Sequence, residues 1–193
     1  MSSTNRGRAR HRADNYPTPS WCVRRLLEVV ALPREGRWLE PCAGDGAIIR
    51  ATPPGPTWTA MELRPECESL LEPMVGAAQT HLGDFLASPP PGQFDVVLTN
   101  PPYGSAQAFV EQARRRADHV VMLLRLNFLA SATRAPFMRE TLPDVYVLPN
   151  RPSFTGKGTD SIEYAWFHWH DHGRPAGSVR VLADTSVAER RRG

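Results

Sequence analysis

Apolar positions along this chain come in short bursts, separated by stretches where they recur at helical spacing. Val23, Leu26, Leu27 and Val30 share one face, which predicts a helix from an N-cap at Ser20 to about Ala31, ended by Pro33. Upstream, Pro17 and Pro19 forbid a helix across 14–19. Trp38-Leu39-Glu40 reads as a strand, Gly44-Asp45-Gly46 as a tight turn, and Ala47 to Ala51 as a short helix stopped by Pro53-Pro54. Thr57 to Leu63 is a second strand, followed by a helix opening on Pro65 and running to about Met74. His81-Leu82-Gly83 is a third strand, and Phe94 to Thr99 a buried fourth. A helix from Ser105 to about Arg116, a strand over Val120 to Leu126 and a helix over Ala132 to Thr141 come next. Strands are then predicted at Val145 to Leu148, at Tyr164 to His170 with alternating aromatics, and at the edge over Val179 to Leu182.

Strands alternating with crossover helices predict an α/β fold, a doubly wound, mostly parallel sheet with helices on both faces. In such sheets ligands bind beyond the carboxyl ends of the strands, where helix N-termini point their amides. Every chemically distinctive segment of this sequence falls just after a predicted strand.

Length and composition narrow this further. At 193 residues and 41% hydrophobic, the chain supports one well-buried core and is short for two. One domain is expected over 15–185, between a basic tail at 1–14 and another at 186–193. No run approaches the roughly 18 apolar residues of a membrane helix, and the arginine-rich start lacks the apolar stretch of a secretory signal. Cys22, Cys42 and Cys67 are odd in number and have no C-x-x-C spacing, which points to a reducing, cytoplasmic setting without disulfides or zinc. The net charge of +3 is modest, yet Arg6, Arg8, Arg10, His11 and Arg12 crowd one end and Arg190 to Arg192 close the other. Guanidinium-rich tails suit a polyanionic partner; solvated tails are the alternative.

Four segments carry candidate chemistry. In Leu39-Glu40-Pro41-Cys42-Ala43-Gly44-Asp45-Gly46 the glycines allow a sharp turn and close approach of a ligand. No basic residue accompanies it, so a diphosphate is a poor fit. Glu40 and Asp45 suit a cationic amine or sulfonium instead. Glu62, at the end of the second strand, is placed to accept both hydroxyls of a ribose. Gly83-Asp84-Phe85 follows the third strand: the Asp suits an adenine amino group and the Phe can cover a base, although a turn residue is an equally ordinary use of Asp84. Asn100-Pro101-Pro102-Tyr103 follows the fourth strand. An amino group conjugated to a π system is a poor nucleophile. An Asn oxygen and a proline carbonyl that hold its two N–H bonds pull the nitrogen toward tetrahedral geometry and free its lone pair. The prolines stiffen the loop, and Tyr103 can stack on a planar substrate.

With these segments in this order, the chain resembles the class I S-adenosylmethionine-dependent methyltransferases. Within them it resembles the amino-methylating DNA adenine-N6 methyltransferases of the gamma arrangement, in the small form carried by phages. The resemblance covers about Asn15 to His170. It implies a Rossmann-like sheet of the seven-stranded type, S-adenosylmethionine as cofactor, and methyl transfer to N6 of adenine in DNA. Tyr16 and Thr18 would contact the methionine moiety; Glu40, Cys42, Gly44, Asp45, Gly46, Glu62, Asp84, Phe85 and Asn100 would complete the cofactor site. Asn100, Pro101, Pro102 and Tyr103 would form the catalytic loop. Segment 151–160 resembles the hairpin whose aromatic residue sandwiches a flipped base opposite the tyrosine, with Phe154 as that residue and Arg151 and Lys157 as phosphate contacts.

The same tetrapeptide occurs in methyltransferases acting on RNA bases and on protein glutamines, and both remain alternatives to DNA, as does a non-enzymatic binder on this scaffold. No separate recognition domain fits in this length, so a short or relaxed sequence preference is expected. No membrane partner is implied, and monomer and homodimer stay open. Cys42 sits in the cofactor loop rather than after the fourth strand, which argues against a nucleophile. His168, His170 and His172 would share one strand face, but no further ligand accompanies them in the sequence, and no metal is expected.

Overall fold

The structure, a computed structural model, describes residues 16–154, 161–170 and 177–190. Among these the regular elements are α1 (Ser20–Leu27), β1 (Arg37–Glu40), α2 (Ala47–Ala51), β2 (Thr57–Glu62), α3 (Glu68–Val75), β3 (Thr80–Leu82) and β4 (Phe94–Thr99). They continue with α4 (Ala106–Arg114), β5 (Ala117–Arg125), α5 (Ala135–Glu140), β6 (Asp144–Val147), β7 (Tyr164–His170), β8 (Val179–Val181) and α6 (Val187–Arg190). One sheet joins the strands in the order β3-β2-β1-β4-β5-β7-β6-β8. Neighbours pair in parallel except at β7, which runs antiparallel between β5 and β6.

Alternation along the strands sorts the apolar side chains onto two faces. Trp38, Trp58, Val96, Leu98, Val121, Leu123 and Trp166 face one way and pack against Trp21, Val23 and Leu26 of α1, Ile48 of α2 and Leu71 of α3. Leu39, Met61, Val97, Met122, Leu124 and Phe167 face the other way, against Phe109 and Val110 of α4 and Met138 of α5. Each fully buried side chain of this size contributes about 1.5–3 kcal/mol, so two filled faces account for a stable three-layer fold. The doubly wound, mostly parallel sheet expected from the sequence is what forms.

Several boundaries differ, each for a local reason. α1 stops at Leu27; Val29 N–H then bonds the Leu26 carbonyl as the turn tightens ahead of Pro33. Ser20 is inside α1 rather than its N-cap, and its hydroxyl accepts from Arg24 at 2.7 Å. The Pro65 helix opens as a 3-10 turn, Pro65–Cys67, before α3. α5 begins only at Ala135, where Pro136 occupies the first turn. β5 extends back to Ala117, which pairs with Phe94. Within the expected 186–193 tail, α6 forms, and Glu189 accepts from Arg25 of α1 at 3.1 Å. The 1–14 tail lies outside the described residues. No helix among the described residues is long and apolar enough to cross a membrane. Cys22, Cys42 and Cys67 are free thiols.

Candidate active site

The parallel strands deliver their carboxyl ends to one edge of the sheet, and a cleft of ≈ 510 Å³ opens there. Its size lies within the range of small-molecule sites. Glu40 ends β1, Glu62 ends β2, Asn100 follows β4, and Arg125 ends β5. Because β7 runs the other way, its first residue, Tyr164, stands beside Arg125 at this same edge.

The glycine turn after β1 is built on left-handed backbone, with φ of 57° at Gly44 and 79° at Gly46. A Cβ on Gly46 would also sit 2.6 Å from Met74 Sδ. Ala43 N–H donates to the Met61 carbonyl at 2.9 Å and Gly44 N–H to Glu62 Oε2 at 2.7 Å, so the turn is laced to β2. Glu62 Oε1 accepts from the Leu63 and Arg64 amides and from Arg64 Nε, at 3.0, 3.1 and 3.0 Å. The carboxylate is therefore fixed in orientation before any ligand arrives.

Glu40 is only 2% exposed, and its Oε2 has no hydrogen-bond partner among the described residues. Burial, then the charges of Asp45 and Glu62, push its carboxyl well above the usual range. Asp45 Oδ2 pairs with Arg50 at 3.0 Å, while its buried Oδ1 is unpartnered among the described residues. A ligand bearing a positive charge would satisfy both. The Cys42 thiol is also pushed up, by burial and by the charges of Glu62 and Glu40, which disfavours the nucleophilic thiolate. Asp84 takes the turn role as well as lining the cleft, its Oδ1 accepting from Leu86 N–H at 2.9 Å. Phe85 reaches the cleft wall but is 1% exposed, its ring 5.4 Å from that of Phe109.

Asn100 is fastened from an unexpected side. Its Nδ2 donates to Thr18 Oγ1 at 3.2 Å and to the Tyr16 carbonyl at 3.4 Å. With the donor end of the amide committed to the N-terminal segment, the oxygen is the end presented elsewhere. Tyr16 and Thr18 both line the cleft as expected and position this amide besides. Pro101 is buried and Pro102 exposed, and Tyr103 opens a 3-10 turn ahead of α4. The Arg125 guanidinium lies 4.8 Å from the centroid of the Tyr103 ring, and Tyr164 packs at 5.6 Å from it.

At the far wall Phe154, expected as the aromatic residue of the hairpin, is 7% exposed, edge-on to Tyr164 at 5.2 Å and to Tyr16 at 6.1 Å, and so is a packed part of the cleft wall. Arg151 does not line the cleft; it is paired with Glu163 across the hairpin stem. Lys157 lies outside the described residues. Gly46 supports the cleft from behind rather than lining it, and the other expected residues all border it. The sequence reading missed Arg125, Tyr164 and Arg64. Arg125 had one signal, a lone charge at the end of the apolar run Val120 to Leu124.

No protein-family profile matches the chain. A type II methyltransferase of Thermus thermophilus, M.TthHB8I, is 32% identical over 108 residues, which cover 54% of this chain and 23% of that protein. The chain thus spans about a quarter of the length of this curated relative. A class I S-adenosylmethionine-dependent methyltransferase of Listeria monocytogenes superposes with a TM-score of 0.64 at 14% identity, covering 88% of this chain and 67% of its own. The methyltransferase subunit of a type I restriction-modification system from Streptococcus thermophilus gives 0.65 at 14% identity, over 93% and 51%. The 23S rRNA methyltransferase ErmE gives 0.58 at 22% identity, over 79% and 68%. The chain therefore has the fold of the class I S-adenosylmethionine-dependent methyltransferases.

Proposed function

We propose that this chain transfers a methyl group from S-adenosylmethionine to the N6 amino group of adenine in DNA. The observation that carries the reading is the Asn100 amide, whose Nδ2 is held by Tyr16 and Thr18 so that its oxygen is left to accept. An exocyclic amino group needs such an acceptor paired with a rigid carbonyl, and Pro101 supplies the second from the adjoining residue.

The donor set fits the cofactor. The buried, unpartnered Glu40 oxygen suits an ammonium or sulfonium charge, and the pre-oriented Glu62 carboxylate suits a ribose diol. Asp84 and Phe85 border the same cleft where an adenine would lie. When bound there, S-adenosylmethionine would supply an electrophilic methyl on sulfur. The chain's own part is positioning: Asn100 Oδ1 and the Pro101 carbonyl hold the two amino protons, so the nitrogen lone pair is directed at that methyl. As the new N–C bond forms, the methyl–sulfur bond would break with its electron pair left on sulfur as a neutral thioether; the nitrogen becomes cationic, and one of its protons then leaves to solvent. No strong base is required. Tyr103, Tyr164 and Phe154 form an aromatic wall for a planar base, and Arg125 beside them is suited to a backbone phosphate. The base must be flipped or unpaired, because N6 within a duplex cannot reach a cleft of this kind.

Methylation assays with labelled cofactor, offering DNA, RNA and protein in parallel, test the reading. Label on adenine N6 in DNA is the expected result. Label confined to RNA, or to glutamine in protein, overturns the substrate assignment while keeping the amino chemistry.

A further inference from the structure

At the opposite end of the sheet from the cleft, three strands bring imidazoles and a carboxylate together. His119 lies near the start of β5, His168 and His170 close β7, and Asp144 opens β6. Strand register aligns them, with His119 opposite His170 and Asp144 opposite His168. His119 and Arg125 are six positions apart on β5, about 20 Å along an extended strand, so this cluster is separate from the cleft.

Asp144 is completely buried, His119 and His168 nearly so, and the His170 side chain is shielded although its residue is only half-buried. His170 Nε2 lies 3.0 Å from Asp144 Oδ2, and His119 Nδ1 lies 2.9 Å from His168 Nε2. One potential ligand atom each from Asp144, His168 and His170 falls within 4.8 Å of the others. The other carboxylate oxygen, Asp144 Oδ1, accepts from Ser178 N–H at 2.9 Å and from Ser178 Oγ at 2.7 Å, which orients Oδ2 toward the histidines. Such outer hydrogen bonds are what aim carboxylate and imidazole ligands at a metal.

Two nitrogens and one oxygen, with no thiolate, are the donor set of zinc and related divalent transition ions, bound at about 2.0–2.2 Å. Donors on such an ion stand roughly 3–3.5 Å apart, so ligand atoms that now lie within 4.8 Å of one another would draw together around it by side-chain rotation. The histidines alone gave the sequence reading too few ligands; the fold adds Asp144 from a different strand.

We propose that Asp144, His168 and His170 form a structural binding site for a zinc-like divalent ion, with His119 fixing the ring of His168 from β5. The ion would tie β6 to β7 at the end of the sheet remote from the cleft.

The test uses the full chain without a polyhistidine tag. It is equilibrated with zinc chloride, freed of excess by gel filtration, and assayed for metal. About one retained zinc per chain is expected, with Tm raised by about 5–10 °C at a hundredfold excess of ion over Kd. Asp144→Asn and His168→Gln should each abolish retention while leaving S-adenosylmethionine binding intact, which separates this test from that of the cleft. Absence of retained zinc in the unaltered chain overturns the site, as does undiminished retention in folded variants. Should the variants not fold, cobalt titration of the unaltered chain decides. Visible absorption without thiolate charge transfer supports this ligand set, and a thiolate band, which would place the ion on cysteine, overturns it.

Discussion

Glu40 and Asn100 show how single residues are prepared for a ligand here. Glu40 holds its proton to higher pH in the folded chain than in the unfolded one, because burial and the nearby acids disfavour its charge. The folded state therefore binds more protons between those two pKa values, and stability falls as pH rises through that window. Glu40→Gln should flatten this fall, read as Tm against pH without ligand. In the unaltered chain, affinity for S-adenosylmethionine should strengthen over the same window, because a cationic group binds the ionised carboxyl, and calorimetry of Glu40→Gln should lose that dependence. For Asn100→Ala, kcat should fall on the order of 10²–10³, the loss typical of removing one stabilising polar group from an active site. Cofactor affinity, measured in parallel, should change far less, and full retained activity in this variant would sink the mechanism.

Among the elements, the glycine turn between β1 and α2 is the most exacting. Its φ of 79° at Gly46 costs any other L-residue about 1–2 kcal/mol, before the approach of Met74 is counted. Gly46→Ala should lower stability in denaturant melts by at least that much and weaken cofactor binding, since the turn carries Gly44 and Asp45. Phe154→Ala should cost about 3–5 kcal/mol in the same melts, as for other buried aromatics, because the ring is packed between Tyr16 and Tyr164. A loss near zero would show that the ring is not packed there. These elements also mark what was legible from sequence. Phe94–Thr99 and Tyr164–His170 could be read to the residue, since uninterrupted apolar or aromatic runs leave little choice of boundary. The residues after β1, β2 and β4 announced the cleft through their order. What escaped reading depended on pairings distant in sequence. Asn100 meets Thr18 82 positions away, and Arg125 meets Tyr164 only because β7 is inserted antiparallel. No local pattern encodes either meeting, nor the arrival of Asp144 beside His168.

For the molecule as a whole, charge and connectivity matter more than any one contact. If the arginines at 6–12 contact DNA phosphates, deleting residues 1–14 should reduce the slope of log K against log salt by about 0.9 per lost contact. An unchanged slope would reduce them to a solvated tail. The insertion of β7 has a separate implication. Strands β1, β2 and β4 supply the carboxylates and the Asn100 loop, whereas the connection entering β7 supplies Phe154, and the start of β7 Tyr164, from 50 or more positions later in the chain. The two walls of the cleft thus come from separate segments of the chain. Exchange of 149–163 alone between relatives offers a route to new target preference with the methyl-donor half kept, and a chimaera of that kind should bind S-adenosylmethionine with the parent's affinity while favouring the donor's target.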